Sequence, residues 1–500
     1  MPRRYLLFAT LAIAIASLYL YDLDGFGVYG PDEPRYAAIG RAMAQTGDFI
    51  TPKLWGTPWF EKPPLLYWMT AAGTAIGLSP DLCGRLPVAL LSLGSLAIWF
   101  VLLKQEFGSR VAGLSIVLLA TSAWWLAFSA LCVTDLPLAV FFSFPVLLSL
   151  PLLRAEPDTR HLLLRFCAMG ASLGLAVLAK GLVPVALALP FAWFLRRFWR
   201  AWWAAFATFA SIALPWYLAV YLRNGFPFIE DFFIKHHLER VYSASLLHVQ
   251  PPYYYLLVFL AAVFPWTALI GFLLRSGQTW DTRRRFLLWI VIWGFLFFSI
   301  PLNKLPGYLL PLLPSFFVLL GSAFERQPFT KIPRAWLIAS ALLIACIPLL
   351  VSILPALLAA GKLTTTSIGP LTRIELFYIA VPIVIASLAR REWAAILLLL
   401  CVIPEGLYLK SVAFPAIDAN VSARSLWRRI NSIANEICDG GTNRDWLFGL
   451  SYYRGATFPP CGSGQFSYAL RTRRRGAPDL DRLGEKKGPA SAGPNARSEN

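Results

Sequence analysis

Long apolar stretches constrain this chain more than any other feature. Leu86 to Leu103 and Leu337 to Leu357 contain no charged side chain, and about 18–22 such residues in helical form cross about 30 Å of hydrocarbon. Runs of this kind recur at 5–22, 86–103, 111–130, 134–153, 162–179, 182–196, 201–222, 252–274, 286–302, 306–322, 337–357, 374–389 and 393–409. Backbone polar groups have no water to bond in lipid, so apolar runs of this length must be helices. They predict an all-α polytopic membrane protein with about 13 transmembrane helices. Hydrophobic residues make up 57 % of the 500 and charged ones only 14 %, against roughly 45–50 % and 25 % in soluble domains. A water-soluble enzyme is excluded.

The net charge of +18 has its cause in position. Basic clusters at Arg3-Arg4, Lys104 with Arg110, Arg154 to Arg165, Arg196 to Arg200, Arg283 to Arg285, Arg326 to Arg334 and Arg390-Arg391 lie between apolar runs. Lys and Arg in that setting mark cytoplasmic loops, so no nucleic-acid partner is expected. Alternation from a cytoplasmic N-terminus puts 23–85, 223–251, 358–373 and everything after 410 outside. The first apolar run lacks an Ala-x-Ala site and reads as a retained span. The short run Pro64 to Leu78 reads as an interfacial or re-entrant segment.

Composition shifts near residue 410 divide the chain into a membrane domain, 1–410, whose first outer loop (23–85) carries juxtamembrane helices, a small mixed α/β outer domain, 411–475, and a disordered tail, 476–500. Cys438 and Cys461 fall in the outer domain and can pair if it faces an oxidising compartment.

The charges that break the membrane pattern are the informative ones. Arg35, Lys62, Lys180, Arg240 and Lys304 fall on the outer side by alternation, where cations suggest an anionic ligand, most simply a lipid phosphate. Asp32, Glu33, Asp48 and Glu61 share the first outer loop, and Asp135 heads an apolar run, where a lone acid needs a cation, a metal or a proton. Tyr36, Trp59 and Tyr67 belong to an aromatic set in that loop suited to sugar or lipid contact.

Asp32-Glu33-Pro34-Arg35-Tyr36, followed by Trp59-Phe60-Glu61-Lys62-Pro63-Pro64 and Tyr67-Trp68, resembles the first outer loop of the GT-C membrane glycosyltransferases. These include the aminoarabinose transferases of lipid A and the protein O-mannosyltransferases. Thr134-Asp135, Leu178-Ala179-Lys180-Gly181, Phe232 to Arg240 and Lys304-Leu305-Pro306-Gly307-Tyr308 extend the likeness from residue 5 to about 320, in order.

The resemblance implies a sugar donor carried on a polyprenyl phosphate, a lipid or glycan acceptor, and no nucleotide. It further implies a multi-pass place in the bacterial inner membrane, with the C-terminal domain periplasmic, and action as a monomer. It makes Asp32 the candidate general base with Glu33 beside it. Arg35, Lys62, Lys180, Arg240, Lys304 and Tyr308 become candidate donor-phosphate ligands, and Tyr36, Trp59 and Tyr67 sugar or acceptor contacts. It also implies a divalent metal (zinc, magnesium or manganese) held by Asp135 and His237, or by His236. A leaving phosphate needs cations where charge develops, and an attacking hydroxyl needs a carboxylate within reach; direct displacement inverts the anomeric centre. The alternative is a transporter or flippase of an anionic glycolipid, which predicts polar residues deep within broken spans.

Overall fold

The computed structural model describes residues 2–155, 158–238, 249–277, 279–325, 332–360, 370–472 and 476–483. The helices that position the site are α1 (Pro2–Leu20), α2 (Asp32–Thr46), α3 (Leu65–Ala75), α4 (Arg85–Ala120), α5 (Asp135–Ser149), α6 (Thr159–Lys180), α7 (Trp202–Asn224), α8 (Leu313–Ala323) and α9 (Arg391–Asn420). α10 (Ala423–Ile430) and α11 (Arg444–Arg454) follow in the C-terminal unit.

Among the described residues six helical segments are long and apolar enough to span: Arg85–Ala120, Asp135–Leu153, Thr159–Lys180, Trp202–Asn224, Pro306–Ala323 and Arg391–Asn420. A seventh arises if Tyr254–Val263 and Trp266–Arg275, bent by 115°, form one broken span. This corrects the expected count of about 13. An apolar run guarantees solubility in hydrocarbon, but a span also needs an unbroken ladder of hydrogen bonds, and proline removes a donor and clashes with the preceding turn. The run 182–196 becomes the short helices Val183–Leu187 and Leu189–Phe194, each with a proline in its first turn. The run 337–357 divides into Arg334–Ile344 and Leu350–Ala360. The runs 86–103 and 111–130 share α4, which carries a break at Gly108 (φ 80°), and end in the separate helix Ala123–Ser129. The all-α membrane architecture with a small α/β unit stands, with six to seven spans among the described residues.

Packing sorts the spans. The segment ending in α8 is buried almost throughout, whereas α7 turns Trp203, Phe206, Leu214, Leu218 and Leu222 outward. α6 and α7 approach closely at Gly170, where a Cβ would lie 2.0 Å from the Ala205 carbonyl oxygen. A small residue at a helix crossing permits that contact.

α9 continues past residue 410 to Asn420 and feeds a unit with its own core of Leu426, Ile430, Ile437, Trp446, Leu450, Phe458 and Leu470. Its three-stranded sheet has the order β3 (Ile437–Asp439), β4 (Tyr468–Arg471), β5 (Asp479–Arg482), after the two-stranded hairpin β1 (Lys53–Leu54) and β2 (Thr57–Pro58) of the first loop. β3 and β4 run parallel, β4 and β5 antiparallel with Tyr468 opposite Arg482. The sheet therefore reaches into the stretch read as tail; its remainder, 484–500, lies outside the described residues. A disulfide joins Cys438 to Cys461.

Candidate active site

α2 starts at Asp32 and places two acids in its first turn, where the helix dipole favours negative charge. Each helical residue turns about 100°, so Asp32, Arg35 and Tyr36 share one face and Glu33 leaves it. The Asp32 side chain is 45 % exposed and bonds the Arg35 guanidinium. Glu33 is 2 % exposed and faces α4, where Arg85 grips both carboxylate oxygens at 2.7 Å. The backbone N–H groups of Tyr29 and Cys132 donate to the same carboxylate at 2.9 and 3.0 Å.

The β1–β2 hairpin turns through Trp55 (φ 50°) and Gly56 (φ 88°), the positive-φ pair that a tight two-residue turn demands. It delivers Trp59, Glu61 and Lys62 to Arg35. Glu61 accepts from Arg35 Nη1 at 2.6 Å and from Lys62 Nζ at 3.2 Å. Burial pulls the Arg35 guanidinium down, but Glu61, Tyr36 and Asp32 more than offset it, so its pKa rises and the cation is permanent. Burial also pushes the Tyr36 phenol well above its ordinary range, which keeps its proton on oxygen.

Lys180 ends α6 and donates to Asp135 at the start of α5, Nζ to Oδ1 at 2.6 Å. The same Nζ lies 4.5 Å from the centroid of the Tyr308 ring. Gly307 makes this possible: a Cβ there would fall 2.4 Å from Asp135 Oδ1.

These groups line one cavity of about 890 Å³. Its wall includes Asp32, Arg35, Tyr36, Trp59, Glu61, Lys62, Asp135, Lys180 and Tyr308, completed by Asn443, Arg444, Asp445 and Trp446 at the start of α11. The C-terminal unit is held there by Arg424, which bonds Asp418 (3.0 Å) and Asp81 (2.9 Å), and by Tyr453, whose hydroxyl donates to Asp81 at 2.6 Å and accepts from the Val28 N–H at 2.9 Å. Four cations (Arg35, Lys62, Lys180, Arg444) face four carboxylates (Asp32, Glu61, Asp135, Asp445) in this wall.

Eight candidate residues from the sequence therefore meet in the cavity: Asp32, Arg35, Tyr36, Trp59, Lys62, Asp135, Lys180 and Tyr308. Three do not. Glu33 is committed to Arg85, because one residue of helical rotation turns it away from Asp32. Lys304 donates to the Pro301 and Gln250 carbonyls at 2.7 and 3.3 Å. Tyr67 is buried behind the wall, its hydroxyl without a hydrogen-bond partner among the described residues. Arg240 and the side chains of His236 and His237 lie outside the described residues. Asp135, the expected metal ligand, is charge-paired with Lys180, and the described residues contain no group of three or more His, Cys, Asp or Glu placed to hold a metal ion. The described groups do not fit a metal.

Glu61 and the α11 residues were not singled out as site residues by sequence. Glu61 stood inside the Trp59–Trp68 motif, next to Lys62, and was within reach of such a reading. The α11 residues carry no spacing signal, because only docking of the two units brings them to the cavity.

Comparison with known proteins sets this geometry in context. Residues 5–229 match the family of dolichyl-phosphate-mannose-protein mannosyltransferases. The undecaprenyl phosphate-alpha-4-amino-4-deoxy-L-arabinose arabinosyl transferase of Pseudomonas aeruginosa (strain UCBPP-PA14) is 33 % identical over 333 residues, 63 % of this chain and 59 % of that protein. Transferase 1 of the same description from Pseudomonas fluorescens is 34 % identical over 338 residues, 64 % of this chain and 60 % of its own length. The alignment thus spans about three fifths of these curated relatives. The crystal structure of ArnT from Cupriavidus metallidurans bound to undecaprenyl phosphate superposes with a TM-score of 0.72 at 22 % identity, covering 96 % of this chain and 99 % of that one. Its apo state gives the same TM-score over 93 % of each chain.

Proposed function

We propose that this chain is, like the relatives it matches, a membrane glycosyltransferase of the GT-C type, and that it moves a sugar from a polyprenyl-phosphate donor to a hydroxyl of a lipid or glycan acceptor. The observation that carries the reading is the meeting of a half-exposed carboxylate, Asp32, with Arg35, Lys62, Lys180 and Tyr308 in one cavity. The acceptor oxygen attacks the anomeric carbon, the carbon–oxygen bond to phosphate breaks, and the configuration inverts. Asp32 takes the acceptor proton. The polyprenyl phosphate leaves with its new charge facing Arg35, Lys62, Lys180 and the Tyr308 hydroxyl, donors already in place when that charge develops.

Binding the donor brings a negative charge to cations that are already paired. Asp32 is the most exposed of the carboxylates bonded to them and is the one a phosphate displaces from Arg35. Lys62 and Lys180 keep their carboxylates and supply field rather than a vacant site. The protein works as a monomer in the bacterial inner membrane, with its N-terminus cytoplasmic and the unit after residue 410 periplasmic. Mass spectrometry of envelope lipids and glycans with and without the gene tests this: one glycoconjugate loses a sugar on deletion, the wild-type gene restores it, and an Asp32→Asn gene does not. An unchanged envelope, or restoration by Asp32→Asn, overturns the assignment.

A further inference from the structure

The Arg35 guanidinium is held in two ways by two sets of groups. In its plane, Nε donates to the Pro31 carbonyl at 2.8 Å, Nη1 to Glu61 at 2.6 Å, and Nη2 to Asp32. Around it lie three rings, Trp59 and Phe448 at 5.4 Å and Tyr36 at 5.9 Å from the guanidinium carbon to the ring centroid. Trp59 and Tyr36 belong to the first loop. Phe448 belongs to α11, so this contact exists only when the C-terminal unit is docked.

The same ring has a second task. It packs against Trp55 in a tilted arrangement, with centroids 5.6 Å apart and planes at 35°. Trp55 sits at φ 50° in the hairpin turn, a conformation that a bulky side chain keeps only where its surroundings over-determine it. Phe448 thus braces the turn that delivers Trp59, Glu61 and Lys62, and covers the arginine those residues surround. It is not part of the cavity wall.

We propose that Phe448 is a positioning residue for the donor phosphate. A π face against a guanidinium is attractive and keeps water off the cation, so the in-plane hydrogen bonds set the direction of Arg35. Phe448 makes the C-terminal unit part of the donor site without touching the donor. The inference rests on the donor reading above and adds to it the group that holds the phosphate ligand still.

The test uses the full chain in lipid nanodiscs and undecaprenyl phosphate as probe, with affinity and thermal midpoint measured together. Phe448→Leu and Phe448→Met keep most of the volume and remove the π face; each weakens binding about 10-fold. Phe448→Tyr keeps the face and binds as wild type does. Leu470→Val, which thins the C-terminal unit's own core and leaves its docking contacts in place, lowers the thermal midpoint and leaves affinity unchanged. Wild-type affinity in the Leu and Met variants overturns the proposal, as does an equal loss in Leu470→Val or in Phe448→Tyr. A wild-type protein that does not bind the probe overturns the donor reading itself, and this inference with it.

Discussion

Arg35 and Arg85 are both almost fully buried, and each bonds a carboxylate from the first turn of α2. Around Arg85 the groups are mutually satisfied. Glu33 takes two of its bonds, and the carbonyls of Leu23 (3.3 Å), Phe26 (2.6 Å) and Gly27 (3.0 Å) take the others. Around Arg35 the corresponding shell opens on one side, where Asp32 is exposed to the cavity. A sealed ion pair fixes loop geometry, whereas an open one can exchange a partner for a ligand. Neighbouring carboxylates of one sequence motif thus differ in partner and in exposure, decided by which arginine each meets.

The comparison breaks most sharply at Asp32. Asp32→Asn lowers transfer by about 10³-fold, read by the yield of glycosylated acceptor, while the thermal midpoint hardly moves; a variant with wild-type turnover would remove Asp32 from the chemistry. Arg85→Met does the reverse. It strands Glu33 in the interior, and loss of one partner of a buried pair costs about 3–5 kcal/mol, so the midpoint falls steeply; unchanged unfolding would mean that Arg85 is not the fastening point. Lys62→Met is milder, weakening undecaprenyl phosphate binding by about 10-fold with folding kept; equal affinity would take the Lys62 charge out of the field that holds the phosphate.

The smallest effect lies in the support of the hairpin. Burial raises the Asp48 carboxyl, but hydrogen bonds from the Thr51 and Ile50 N–H groups and Lys53, with the charge of Arg223, outweigh it and hold it below the ordinary range. A depressed carboxyl stabilises the fold above its unfolded pKa, and that contribution fades as pH falls through the lower folded value. Asp48→Asn therefore lowers the midpoint slightly at neutral pH and flattens its decline toward acid. A variant declining as steeply as wild type would take Asp48 out of the acid response.

Much of the open centre was legible because its residues cluster in short motifs: Asp32 to Tyr36, Trp59 to Lys62, and single charges at Asp135 and Lys180 where hydrocarbon makes charge costly. The sealed centre was not. Arg85 begins an apolar run and looks like an ordinary border cation, and nothing in its neighbours says that it faces Glu33. Span counting failed for a related reason, since hydropathy averages over the prolines and glycines that break helices.

The sequence by itself determined the solvent, the all-α character of the membrane domain, and most of the charged groups that meet in the cavity, because transfer to lipid is a property of each residue summed along the chain. Tertiary structure decided pairing. It separated Asp32 from Glu33 by a single step of helical rotation, removed Lys304 from the site, and brought Phe448 and the head of α11 to a first-loop arginine. Such contacts join residues far apart in the chain, and their energies depend on distance in space and on exclusion of water, neither of which is written in local order.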